Sequence, residues 1–362
     1  MRRARTCWLW LVLGGVGATM LFVRLAGAAD VSNNTAPDPP GKLVDIGGYK
    51  LHIWCMGKES SSPTVVCLAG SGDFSFTWGL VMPEVAKFTH ICSYDKAFCA
   101  WSDPGPALRT MKQEAYELHL LLHNAGIKGP YVLVGASAGG LLARVFARDY
   151  RDDVAGMVLV DSTDPDTVVS LNGQLVRIRE GSKGRTVPPV QTVKSNPPPA
   201  GPPTDDERTR IENYSKALGT PRIYAPHDRL PAGLQKLDTW ARFHFNPLML
   251  KANNQFEPEE FQELFEQAQR ENPPLGDMPL VVLIAGDKAR TVDEQQKRAT
   301  DVKRGVFEEK RYQKIAQARL SRNGKYVIVE SDHHIHLYQP AWVVEAIRQV
   351  VEASRTKNVT KP

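Results

Sequence analysis

Tyr131-Val132-Leu133-Val134-Gly135-Ala136-Ser137-Ala138-Gly139-Gly140 decides how this 362-residue chain is read. A short apolar run follows Gly129-Pro130 and reads as a buried strand, while residues 141–146 resume at helical spacing. Ser137 therefore falls at a strand-to-helix turn. Such a turn forces a strained backbone on the serine and brings the residues two positions away so close that only small ones fit, which Gly135 and Gly139 satisfy. It lifts the hydroxyl clear of the sheet and aims the first amides of the following helix at the same spot. Ser137 is thus a candidate nucleophile, and the Ala138 N–H a candidate oxyanion donor. A G-x-S-x-G pattern also arises by chance in α/β proteins, so the reading depends on its partners.

Outward from the elbow, the chain alternates strands and helices on both sides. Residues 43–46, a Gly47-Gly48 turn and residues 49–55 predict a hairpin. Thr64–Leu68 is continuously apolar, as an interior strand covered on both faces must be. It empties into Ala69-Gly70-Ser71-Gly72-Asp73, a Gly-rich loop that suits a second oxyanion donor, assigned to the Ser71 N–H. Residues 89–94 predict a strand and 109–126 an amphipathic helix closed by Gly126. His119 and His123 on that helix have a metal-compatible spacing without further ligands, and are read as ordinary helix residues. Val154–Val160 predicts another buried strand, ending at Asp161-Ser162-Thr163-Asp164.

From there to about residue 276 the alternation stops. A Pro-rich tract, residues 181–206, reads as a mobile excursion, and helical patterns follow at 205–218, 233–245 and 258–269. Residues 165–276 are therefore expected to form a helical cap over the active-site end of the sheet. The strand pattern returns at 280–285 before Gly286-Asp287. A charged helical stretch over 292–320 and a strand over 325–330 then lead to Ser331-Asp332-His333-His334-Ile335-His336. Pro340 opens a last amphipathic helix with Trp342, Val343, Ala346, Ile347 and Val350 expected inward.

Together these segments resemble an α/β-hydrolase-fold serine hydrolase of the small-molecule esterase-like branch. The likeness rests on Leu68-Ala69-Gly70, Ser93-Tyr94-Asp95, Trp101-Ser102-Asp103-Pro104-Gly105, Val158-Leu159-Val160-Asp161 and the histidine-bearing end before Pro340. It implies a mostly parallel eight-stranded sheet with helices on both faces and a helical cap inserted after strand 6. The core would comprise residues 42–164 and 277–356. The chain departs from the family where a histidine often precedes the oxyanion glycine and the nucleophile, having Ala69 and Ala136. Lys96, Phe98 and Ala100 also stand where arginine and glycines are usual.

The chemistry of serine sets the remaining assignments. A hydroxyl is a poor nucleophile at neutral pH, so a histidine must take its proton and a carboxylate must hold that histidine in the right tautomer. His333 matches the family's position for the base, with His334 and His336 as neighbours. Three histidines this close rarely converge on one ion, and neither a metal nor another cofactor is expected. The family places the acid after the sixth strand or after the seventh. Asp161 is favoured for it, Asp287 is the alternative, and Asp164 ranks third. The resemblance implies acyl transfer on a small-molecule ester. An amidase or aminopeptidase on the same residues is a second reading, and a catalytically silent fold used for binding is a third.

Composition bounds the rest. The net charge of +5 is spread along the chain, which gives no basic groove for nucleic acid. Residues 1–28 combine basic residues, an apolar run over 7–23 and Ala26-Gly27-Ala28. They predict an export signal, for a secreted or periplasmic protein, or a membrane anchor through 7–23. Residues 29–41 read as a flexible leader. Of five cysteines, Cys55 and Cys92 lie on predicted strands, where either a bridge or two small buried side chains would fit.

Overall fold

In a computed structural model the elements follow from where apolar residues fall on both sides of a strand. The model describes residues 36–286 and 301–359, apart from 59–62, 107–108, 172–173, 193–204, several positions between 207 and 218, 245–253 and 255. The strands in chain order are β1 (Lys42–Asp45), β2 (Lys50–Met56), β3 (Thr64–Leu68), β4 (Ile91–Tyr94), β5 (Tyr131–Ala136), β6 (Val154–Val160), β7 (Val168–Leu171), β8 (Gln174–Arg177), β9 (Leu280–Gly286) and β10 (Gly324–Glu330). Eight of them form one sheet in the order β1-β2-β4-β3-β5-β6-β9-β10. Only β2 runs antiparallel to its neighbours β1 and β4; the pairs from β4 to β10 are parallel. β3, β4 and β5 are buried at every position, as the continuous apolar runs require.

Alternate residues of each strand feed two cores. Val66, Leu133 and Leu159 pack on one face with Leu118, Leu121, Leu141 and Phe146 from the helices Met111–Asn124 and Ala138–Asp149. Val65, Val132, Val134 and Val158 pack on the other with Val343, Ala346, Ile347 and Val350 of the helix Pro340–Val359. Trp342, expected inward with that set, is instead 47% exposed. Its neighbour Val343, in the same turn, is fully buried, so Trp342 points off the helix face that meets the sheet.

Cys55 and Cys92 face each other across the β2–β4 pair with their Cα atoms 4.0 Å apart, and they are disulfide-bonded. The register that sets β2 against β4 thus resolves the choice that sequence left open. Cys67 and Cys99 are buried free thiols.

The segment between β6 and β9 contains the helices Ala232–His244 and Glu257–Arg270. It also contains a two-stranded antiparallel hairpin, β7 with β8, where only helices were expected. Asn172-Gly173 separates the two strands in sequence, and that pair favours two-residue hairpin loops. The described part of the Pro-rich tract, residues 181–192, is tied down, since Gln191 N donates to Gln113 Oε1 (2.9 Å) and Arg185 pairs with Glu259 (2.5 Å). A further tie comes from Glu260, whose carboxylate accepts from Met111 N and Lys112 N at 2.8 Å each. Those are opening amides of the helix Met111–Asn124, which have no partners within their own helix. Thr110 Oγ1 accepts from Gln113 N and completes the cap.

Candidate active site

Ser137 sits between β5 and its helix with φ 51° and ψ −121°, in the left-handed half of backbone space where a side chain is strained. The surrounding backbone enforces this. Ser137 N donates to Val160 O (3.1 Å) and Thr163 N to Ser137 O (3.1 Å), so the residue is held from both sides by the end of β6. A Cβ on Gly135 would run into the Gly139 carbonyl, and one on Gly139 into the Leu68 carbonyl. The small-residue rule read from sequence therefore has a steric cause at both positions. The Ser137 side chain makes no capping hydrogen bond to its helix, which leaves the hydroxyl at liberty beside the helix's first amides.

The expected acid and base meet at the same sheet end. Asp161 follows β6, its side chain 2% exposed, and its backbone is also left-handed at φ 44°. His333 Nδ1 donates to Asp161 Oδ2 at 2.6 Å. Two other donors reach the same carboxylate: Ala285 N to Oδ1 at 2.9 Å and Lys314 Nζ to Oδ2 at 2.6 Å. Burial pushes the Asp161 carboxyl up, but the His333 hydrogen bond and the Lys314 ammonium outweigh it and hold the group down at about 2. It is an anion at any ordinary pH. The His333 ring is 47% exposed, so its other nitrogen has access to solvent and substrate.

The neighbouring histidines differ in kind. His336 is buried against Trp78, with ring centroids 4.8 Å apart, and burial drives its imidazole down to about 3. His334 is also lowered by burial. Asp164 turns away to Gln317 Nε2 (3.2 Å) and lies 3.8 Å from Arg144. Asp287 lies outside the described residues.

The loop after β3 brings Gly70 against Ser137: a Cβ at Gly70 would stand 3.2 Å from Ser137 Cβ. Ser71, exposed, and Gly72, half-buried, form a turn there. The loop after β4 explains a departure noted in the sequence. Phe98 (φ 68°) and Ala100 (φ 44°) keep the left-handed backbone that glycine would adopt freely, and both are buried.

A second polar cluster lies beside the first, unannounced by any sequence pattern. Arg242, from the inserted helix Ala232–His244, donates to Gly72 O (3.2 Å), Asp73 Oδ1 (2.9 Å) and both oxygens of Asp238 (3.0 Å). His227 Nδ1 is 3.0 Å from Asp238 Oδ1. Asp73, His227 and His334 bring their ligand atoms within 4.8 Å of one another. The Arg242 guanidinium nitrogen is 2.9 Å from Asp73 and 3.0 Å from His227 Nε2, so an organic cation already stands where an ion would. The cluster is an ion-pair network. Lys314 and Arg242 were both missed in the sequence because a charge on a helix, even one in an i,i+4 pair such as Asp238 and Arg242, does not say which distant group it meets.

A strained serine turn, a carboxylate-held histidine and a Gly-rich loop after the third strand converge at one sheet end. A model of the Alpha/beta hydrolase family matches residues 65–346. The chain belongs to the alpha/beta hydrolase family. Among curated proteins, this family member is 38% identical over 120 residues to the uncharacterized protein YqjL of Bacillus subtilis, a match covering 33% of the chain and 47% of YqjL. It is 29% identical over 121 residues to proline iminopeptidase of Lactobacillus helveticus, covering 32% of the chain and 41% of that enzyme. The chain thus spans less than half the length of these relatives. Among solved structures it is similar to a thermophilic esterase from Thermogutta terrifontis, with a TM-score of 0.54 and 19% identity over 87% of the chain and 99% of the esterase. No helix among the described residues is long and apolar enough to cross a membrane. The export signal or anchor expected over residues 1–28 falls on residues outside the description.

Proposed function

We propose that this alpha/beta hydrolase is a serine hydrolase that cleaves small-molecule carboxylic esters by acyl transfer. The observation that carries the reading is the 2.6 Å contact between His333 Nδ1 and Asp161 Oδ2 at the sheet end that also presents Ser137. In this mechanism His333 Nε2 takes the Ser137 proton as Oγ attacks the ester carbonyl carbon, and Asp161 holds the imidazole in the tautomer that accepts it. The Ala138 and Ser71 N–H groups receive the oxyanion. Collapse breaks the bond to the alcohol, which leaves with the proton returned by His333. A water molecule deprotonated by His333 then attacks the acyl group and frees the acid and Ser137.

The inserted segment 165–276 serves as the cap of the substrate pocket in this reading. The order of basic, apolar and small residues in 1–28 supports export or anchoring, and the Cys55–Cys92 bridge suits an oxidising compartment. The likeness to proline iminopeptidase over a third of the chain favours amide cleavage as the second reading. Matched nitrophenyl esters and nitroanilides with the same acyl groups divide the two. The ester reading requires turnover of short-chain esters at least about 10²-fold above the matched anilides, and a ranking in favour of an N-terminal aminoacyl anilide would replace it with a peptidase.

A further inference from the structure

The turn that carries Ser71 is held unevenly. Upstream, β3 is fixed by its pairing with β5, and Gly70 abuts Ser137. Downstream, Ser75 N donates to Asp95 Oδ1 at 2.7 Å, and that carboxylate is itself locked by His52 Nδ1 at 2.7 Å. Between these anchors, the turn's own backbone bond from Asp73 N to Gly70 O is long, at 3.4 Å. Gly72 adopts a left-handed φ of 76° with nothing within 4 Å of where a Cβ would stand. The strong contacts on this stretch come from elsewhere in the chain, as Arg242 donates to Gly72 O and to Asp73 Oδ1.

We propose that Arg242 is a positioning residue through which the inserted helix Ala232–His244 fixes the Gly70–Asp73 turn and so places the Ser71 N–H for the oxyanion. The inference rests on the serine-hydrolase reading and adds to it a role for the insertion beyond enclosing substrate. The arginine is built for this. Its Nε is bound by Asp238 one helical turn earlier, which fixes the fork's direction, and the His227 ring lies against Nη2. The two remaining nitrogens then match a carbonyl and a carboxylate on the turn. Among the described residues Arg242 makes no hydrogen bond or ion pair to Ser137 or His333, so its effect on chemistry passes through the turn. Displacing an oxyanion donor by a fraction of an ångström weakens the transition state more than the bound substrate.

The test compares wild type with Arg242→Ala, Arg242→Lys and Asp73→Asn in the full chain. It follows kcat and KM for a short-chain nitrophenyl ester, the second-order labelling rate by a fluorophosphonate, whose phosphoryl oxygen uses the same donors, and the thermal midpoint. The expected result for Arg242→Ala is a fall in kcat and labelling rate of about 10²-fold with KM within about threefold. Arg242→Lys should recover part of that loss, and added guanidinium should partly rescue Arg242→Ala. Asp73→Asn keeps the side chain's size, and as a folded variant it should lose kcat in the same sense. A kcat and labelling rate within threefold of wild type in folded variants would overturn the proposal. So would a loss confined to KM, which would make the cluster a substrate subsite. A wild-type protein that neither labels nor hydrolyses esters would remove the hydrolase reading and this inference together.

Discussion

Two buried ionic clusters flank the same serine, and they are assembled in opposite ways. Asp161 and His333 both sit in loops that leave the sheet, after β6 and β10, and their meeting is dictated by strand order. Arg242, Asp238 and His227 come from the insertion and meet Asp73 of the sheet domain across a seam. The first arrangement would survive any change to the insertion that left the sheet intact. The second exists only when the insertion is docked. Chemistry placed on strand ends is rigid by construction, whereas whatever the seam contributes varies with how firmly that seam is closed.

The difference predicts a graded set of outcomes, beginning at the sheet end. Asp161→Asn should lower ester turnover by about 10⁴-fold, because the histidine loses the partner that sets its tautomer. His334→Ala and His336→Ala should retain substantial activity. If Asp287→Asn proved the crippled variant instead, the acid would belong to the loop after β9 and the comparison would need redrawing.

At the seam, Glu260 is predicted to make docking depend on pH. Burial raises its carboxyl to about 7, although its hydrogen bonds from Met111 and Lys112 act to lower it. A raised acid contributes stability that is fully present below the unfolded value of about 4.5 and is lost as pH rises through about 7. The neighbouring Glu257, raised to about 6 by burial, acts in the same direction. Denaturant unfolding of Glu260→Gln should therefore lose less stability between pH 5 and 8 than wild type, by at most about 3 kcal/mol. Equal pH slopes in the two proteins would show that Glu260 does not sense the seam.

The smallest effect concerns Lys314. Its ammonium helps to depress the Asp161 carboxyl, so Asp161 contributes stability present above the usual carboxylate range and lost as pH falls through about 2. Lys314→Met should raise the pH midpoint at which the Asp161 carboxyl titrates in the folded protein and lower stability at neutral pH by about 1 kcal/mol, with stability below about pH 2 little changed. A midpoint that does not move would mean that His333 alone holds the carboxylate.

The same contrast explains what could be read in advance. The buried strands and the turn at Ser137 follow from local patterns, because a buried parallel strand announces itself as an apolar run, whereas the eight-stranded sheet, His333 and the preference for Asp161 over Asp287 came from the family resemblance. The insertion has no such grammar. Arg242 and Asp238 look like ordinary charges on an amphipathic helix, and only the tertiary arrangement shows them aimed at a turn some 170 residues away. Lys314 was hidden in the same way. The hairpin β7–β8 is a different case: Asn172-Gly173 between short β-prone runs is a local hairpin signal that the expectation of a purely helical insertion passed over. Phe98 and Ala100 show that residues other than glycine can hold a left-handed backbone in the loop after β4, where the resemblance leads one to expect glycine.

The central claim is that Ser137, lifted out of the sheet in a strained turn, is the nucleophile. Treating the protein with a fluorophosphonate and mapping the adduct by peptide mass spectrometry tests this most directly. The account predicts a single adduct on Ser137 that forms in step with loss of ester turnover and is absent from a folded Ser137→Ala variant. An adduct on another residue, or full ester turnover in Ser137→Ala, would contradict it.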